Sequence, residues 1–144
     1  HVTSVTSAQN RELCLSLGSD AWLDYGAGRV FAGDQRYDVI FDVFGNQRLA
    51  RVQQALAVRG HYVSTVPKAR ILLDSARTLL RAQRSHLVVV KSRARDLRAI
   101  AALVEQGKLR PIVHGVYPLE QAAQAQEQVE SKHSRGKVVI RISP

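Results

Sequence analysis

The feature that most restricts this chain is a repeated switch between two hydrophobic periods. Short β-branched or apolar runs recur at Val2–Ser7, Trp22–Tyr25, Asp38–Phe44, His61–Val66, His86–Val90, Ile112–Val116 and Lys137–Ile142. Between them lie segments whose apolar residues fall three or four apart: Arg11–Leu17, Asn46–Val58, Arg70–Ala82, Ala94–Glu105 and Leu119–Val129. Runs of the first kind suit strands and those of the second suit amphipathic helices. Hydrophobic strands alternating with helices predict an α/β fold of the doubly wound kind, with a mostly parallel sheet covered on both faces. In such sheets ligands bind at the carboxyl ends of the strands.

The punctuation fits this division. Gly18 and Gly107 stand where a helix C-cap glycine belongs, Gly60 reads as the end of the Asn46–Val58 helix, and Pro67 closes the strand at 61–66. Gly26–Arg36 reads as a Gly-containing loop.

Composition removes several classes of function. Hydrophobic residues make up 45% of the 144, too many for a disordered chain. No apolar run approaches the ~20 residues that span a bilayer, so no membrane partner is expected. Cys14 is the only cysteine, which excludes an internal disulfide and a multi-cysteine zinc site and suits a reducing cytoplasm. The five histidines, His1, His61, His86, His114 and His133, have no ligand spacing, so no zinc is expected in this chain. Lys and Arg number 21 against 12 Asp and Glu, a formal +9 that attracts phosphates. The arginines are scattered rather than clustered. A basic α/β module for nucleic acid is therefore the alternative class, weakened by the lack of an aromatic platform. A non-catalytic fragment that is stable because it oligomerises is a third.

Three stretches carry a more specific signal. Residues 2–25 give a strand ending in Ser7, a helix followed by Leu17-Gly18, and then Asp24-Tyr25 after a strand. Residues 37–46 read YDVIFDVFGN, followed by Gly-His-Tyr-Val-Ser at 60–64. The last stretch contains Gly107-Lys108-Leu109, Pro118-Leu119, the spaced Ala122 and Ala125, and Gly136-Lys137-Val138-Val139. In this order they resemble the second half of the medium-chain dehydrogenases/reductases, in the quinone oxidoreductase and zinc-type alcohol dehydrogenase-like branch. The resemblance spans nearly the whole chain.

The resemblance implies a Rossmann-like domain over 1–110. It implies a strand-helix-strand segment over 111–144 that packs back toward the catalytic domain in relatives. It implies a parent enzyme that moves hydride from a nicotinamide cofactor to a quinone, enone or similar carbonyl substrate. The turn after the first strand, Thr6-Ser7-Ala8-Gln9-Asn10-Arg11, contains no acid. An acid there would bind the ribose 2′-hydroxyl and repel a 2′-phosphate, so the turn favours NADPH over NADH. Carried over by position, Ser7, Asn10 and Tyr25 contact that phosphate. Many relatives have Lys where this chain has Asn10. Phe44 and Gly45 lie along the cofactor ribose, Val63 and Ser64 flank the nicotinamide through their backbone, and Lys137 stands near the cofactor phosphates. On residue chemistry alone, Ser7 and Asn10 also read as helix caps, Tyr25 as a partly buried strand residue, Gly45 as a turn glycine and Lys137 as a solvated lysine.

The phosphate-binding Gly-x-Gly-x-x-Gly does not occur. Gly26-Ala-Gly28 is the only Gly-x-Gly, and no third glycine follows at the right spacing. The chain therefore corresponds to a piece that begins at the family's second strand. No residue reads as a catalytic acid or base, and the piece alone is expected to turn nothing over. Loss of the central first strand would leave two strands with open edges, which favours a homo-oligomer, a tight or strand-exchanged dimer.

Overall fold

A computed structural model describes residues 1–28, 30–131 and 133–142. Arg29 of the Gly26–Arg36 loop, Lys132, Ser143 and Pro144 lie outside the described residues. In chain order the elements are β1 (Thr3–Thr6), α1 (Arg11–Ser16), β2 (Ala21–Asp24), β3 (Tyr37–Asp42), α2 (Leu49–Val52), β4 (Leu56–Ser64), α3 (Ala69–Arg77), β5 (Arg84–Leu87), α4 (Ala94–Glu105), β6 (Val113–Pro118), α5 (Ala122–Glu130) and β7 (Lys137–Arg141). Every strand pair is parallel, the α/β arrangement that the alternating periods predict. The strands fall into three ladders, β1-β2, β3-β4-β5 and β6-β7. Two compact units share them. The first comprises His1–Ala8 and Ala21–Lys91, and the second Gln9–Asp20 and the chain from Ser92 onward.

The first unit is built on one face of the β3-β4-β5 ladder. Side chains alternate along a strand, so Ile40 and Asp42 of β3 and Tyr62 and Ser64 of β4 point the same way and are buried. Ile40, Leu49, Val52, Ala55, Leu56, Tyr62 and Ile71 form the core, with Phe31, Tyr37 and Leu87 packed against it. The opposite face carries Val39 and Phe41, both more than half exposed. Within this unit β1 pairs only with β2, and β3 only with β4, so each has one open edge among the described residues.

Several boundaries differ from expectation, among them the strand expected over His61–Val66, which runs Leu56–Ser64. The helix expected over Asn46–Val58 is only α2, followed by a 3-10 turn at Gln53–Ala55. Leu56 already pairs with Tyr37, so ladder bonds take over where helical spacing alone would continue. Gly60, expected to close that helix, lies inside β4, where a Cβ would meet the Tyr37 carbonyl oxygen at 3.0 Å. The helix expected over Arg70–Ala82 stops at Arg77. There the buried Thr78 hydroxyl donates to Asp74 O (2.7 Å) and accepts from the Ser85 amide (2.9 Å), tying the helix end to β5. The strand expected over His86–Val90 is Arg84–Leu87. Its pairing with His61–Ser64 ends at a last bond from Val88 N to Ser64 O (2.9 Å), and Val89 and Val90 are exposed.

In the second unit the glycine signals hold. After α1, Gly18 N bonds Leu15 O and Ser19 N bonds Cys14 O; after α4, Gly107 N bonds Val104 O and Lys108 N bonds Leu103 O. These paired bonds define the Schellman cap, with each glycine at positive φ. Gly136, with φ of 116°, has the Ile112 carbonyl oxygen where a Cβ would stand, so the turn into β7 requires glycine.

Candidate cofactor site

Parallel pairing brings strand ends together. The register Thr6↔Asp24 sets the carboxyl ends of β1 and β2 side by side, so Ser7 and Tyr25 leave the ladder at the same end. Two side-chain bonds fix this end. The Trp22 indole N–H donates to Thr6 Oγ1 (2.8 Å), and that hydroxyl donates to Ser7 O (3.3 Å). Asp24 Oδ1 accepts from Gly26 N (2.8 Å), which turns the chain and leaves Tyr25 62% exposed. Ser7 is half-buried. Asn10 belongs to the second unit, at the N-cap position of α1, and its side chain makes no capping bond. Lys137 also belongs to the second unit, exposed at the start of β7. In that unit the Arg135 guanidinium donates to Gln9 Oε1 (3.2 Å), linking the turn that carries Asn10 to the segment before Lys137.

The other four expected residues share the carboxyl ends of β3 and β4, where Asp42 pairs with Ser64. Phe44 projects, 81% exposed. Gly45 has φ of 59°, and a Cβ there would lie 2.6 Å from Val66 Cβ, so no other residue fits this turn without a shift. Val63 is half-buried. Ser64 is fully buried and its Oγ accepts from Val66 N (3.3 Å), so its side chain faces the core and only its backbone is at the ladder.

Sequence reasoning missed the groups that hold this tip. Asp42, buried at the end of β3, accepts from Gly45 N (2.8 Å) through Oδ1, and from Gln47 N (3.0 Å) and the Tyr62 hydroxyl (2.8 Å) through Oδ2. Burial, then the bond to Asp42 and its negative charge, raises the Tyr62 pKa above the usual tyrosine range. The Lys68 ammonium (2.7 Å) and the Arg70 guanidinium (2.6 Å) both donate to Gly45 O. Thr65 Oγ1 donates to Val43 O (3.0 Å). The turn that follows β3 is thus bound on both sides to β4 and to the start of α3. An Asp three residues before a turn glycine is a readable signal for such a turn. Nothing in the sequence announces Lys68 or Arg70.

A cleft of about 900 Å³ adjoins Tyr25 in the first unit. Phe31, Asp34, Arg36, Gln47 and Arg51 also line it. Its walls come from the loop before β3 and from α2, neither of which was expected to contribute. Of the expected site residues only Tyr25 lines this cleft.

His61 and His86 stack across β4 and β5, with ring centroids 5.0 Å apart and Nδ1 to Nε2 at 2.8 Å. One nitrogen donates and the other accepts, so the bond uses at least one neutral ring. Burial, then the neighbouring His61 and Arg84, lowers the His86 pKa. Among the described residues no group of three or more His, Cys, Asp or Glu side chains is placed to hold a metal ion. Among them, too, no helix is long and apolar enough to cross a membrane.

The zinc-binding dehydrogenase family model matches residues 17–140. The chain is 27% identical over 146 aligned residues to the chloroplastic quinone-oxidoreductase QR1 of Triphysaria versicolor, covering 97% of this chain and 44% of that protein. It is 32% identical over 140 residues to a probable mitochondrial zinc-binding oxidoreductase of Arthroderma benhamiae, covering 92% of this chain and 41% of that one. Its fold is similar to that of the Coxiella burnetii quinone oxidoreductase, with a TM-score of 0.81 at 22% identity over 99% of this chain and 45% of that one. The chain spans less than half the length of these relatives. The chain belongs to the zinc-binding dehydrogenase family, in the quinone oxidoreductase and alcohol dehydrogenase-like branch of the medium-chain dehydrogenases/reductases.

Proposed function

We propose that this chain is the NADPH-binding part of an oxidoreductase that reduces a quinone, enone or similar carbonyl compound. The observation that carries the reading is the shared end of β1 and β2. There the acid-free turn beginning at Ser7 sits beside the exposed Tyr25. Hydride transfer is the chemistry the cofactor supplies when bound. The chain's own residues bind and orient. Ser7, Asn10 and Tyr25 take the 2′-phosphate side. Phe44 and the Gly45 turn receive the ribose, with Asp42, Tyr62, Lys68 and Arg70 keeping that turn in one shape. Val63 and Ser64 contribute backbone beside the nicotinamide, in keeping with the inward Ser64 hydroxyl. Lys137 adds positive charge near the phosphates. None of these is a catalytic residue, and the chain alone turns nothing over.

Residues 111–144 pack back toward a catalytic domain in this reading. The open edges of β1 and β3 favour a homo-oligomer. The single Cys14 suits a reducing, cytoplasmic location; the plastid and mitochondrial names belong to the relatives. The test is NADPH oxidation, followed by its absorbance, by the whole protein that carries this chain, with a quinone or an enone added. Acceptor-dependent oxidation is expected. Its absence with every carbonyl acceptor tried would contradict the proposed activity.

A further inference from the structure

We propose that the paired rings of His61 and His86 are an acid-sensitive latch that holds the edge strand β5 to β4. β5 is short and pairs with β4 at His61↔Arg84, Tyr62↔Ser85, Val63↔His86 and Ser64↔Leu87. On the buried face β5 is tied to the end of α3 by the Ser85 amide, which donates to Thr78 Oγ1 (2.9 Å). On the opposite face the bond between His61 Nδ1 and His86 Nε2, 2.8 Å long, ties it to β4. Such a bond needs one ring nitrogen with a free lone pair. A neutral pair and a singly charged pair both keep a donor facing an acceptor. A second proton leaves two N–H groups and two positive charges opposed, and the bond is lost.

The surroundings offer nothing to offset those charges. On β5, Arg84 stands in register with His61 and adds a third cation. On β4 the nearest charged residue along the chain before His61 is Arg59, also cationic. β3 presents Val39 and Phe41 as register partners of His61 and Val63, and its Asp42 points to the buried face, where it accepts from Tyr62. α3 brings Leu72, Ser75 and Leu79 to a groove that Arg84 and His86 also line; its Asp74 and Arg77 do not line that groove. Among the described residues neither ring has a carboxylate within 4 Å. Both rings are half-buried, where a charge costs more than in water. Burial, then His61 and Arg84, lowers the His86 pKa, so the latch is closed at neutral pH and opens as pH falls below the ordinary histidine value of 6.5. Opening releases the last bond of the ladder, Val88 N to Ser64 O (2.9 Å), and with it Leu87, which packs against the core. The order of the carboxyl end of β4, at Val63 and Ser64, is thereby tied to pH.

Amide hydrogen exchange, corrected for the intrinsic pH dependence of exchange, reads the latch in the whole protein that carries this chain. Between about pH 7 and about pH 5, protection of residues 85–88 should fall by about tenfold or more, since one titrating proton is worth up to about tenfold per pH unit. β6 and β7 should keep their protection over the same range. His86→Gln gives His61 both a donor and an acceptor that do not titrate, and should abolish the fall. Arg84→Gln should move it to lower pH. NMR titration of the imidazole resonances needs no variant: the two rings should titrate in two separate steps, the second below the ordinary histidine value. Independent titration of both rings at that ordinary value would overturn the proposal. So would protection of residues 85–88 that does not change with pH, or that falls equally in the wild type and in His86→Gln.

Discussion

Replacing Tyr62 with Phe removes one hydroxyl from a fully buried site without changing the ring that fills the core. The lost bond is 2.8 Å long and goes to a carboxylate, Asp42 Oδ2, so its net worth falls in the range of about 1.5–3 kcal/mol for a bond to a charged partner. Oδ2 keeps the Gln47 amide at 3.0 Å, so the carboxylate is not stranded and the lower end of that range is expected. The pH dependence gives a second, independent signature. The folded-state pKa of Tyr62 is raised, so its contribution is fully present below the unfolded tyrosine value near 10 and is lost as pH climbs from there toward the folded value. Over that window the wild type should lose up to about 1.4 kcal/mol per pH unit from this group. Urea unfolding monitored at neutral pH and at steps through the alkaline range measures both. Tyr62→Phe should start lower and decline less steeply above pH ~10. An unchanged midpoint together with an unchanged alkaline slope would refute the account of how the β3 tip is held.

Other outcomes follow from the same geometry. Gly45→Ala forces a side chain into Val66 at a positive φ, and nucleotide affinity should fall by more than tenfold on calorimetric titration, with the first unit also destabilised by at least about 1 kcal/mol. Ile71→Ala empties a fully buried position and should cost about 2–5 kcal/mol in urea unfolding. The lowered His86 pKa means that the stability of the His61–His86 pair is present above the ordinary histidine value and declines as pH falls below about 6.5; His86→Gln should flatten that decline in a thermal melt series. Light scattering should report a mass above the monomer, and a monomer with every strand edge protected from hydrogen exchange would remove the oligomer proposal.

Much of the fold was legible because its signals are local. The apolar runs at Asp38–Phe44 and Lys137–Ile142 and the period of Ala94–Glu105 each determine an element from their own residues. Gly18 and Gly107 were readable because a Schellman cap needs a left-handed residue at one defined place. The α2-to-β4 boundary was not, because Leu49, Val52 and Leu56 keep helical spacing even though Leu56 pairs with Tyr37. Only the partner strand decides between the two. The same holds for the site. Phe44 and Gly45 stand at a strand end that the sequence marks, whereas Lys68 and Arg70 reach Gly45 O across 23 and 25 residues of chain.

In the proposed function the carboxyl ends of β1 to β4 form the adenosine and ribose side of an NADPH site. Isothermal titration of the whole protein with NADPH and with NADH tests it most directly. The account predicts saturable binding of both, with NADPH tighter by about tenfold or more, the size of one charge-assisted phosphate contact. Equal affinity for the two would contradict the phosphate selectivity, and no binding of either would contradict the site itself.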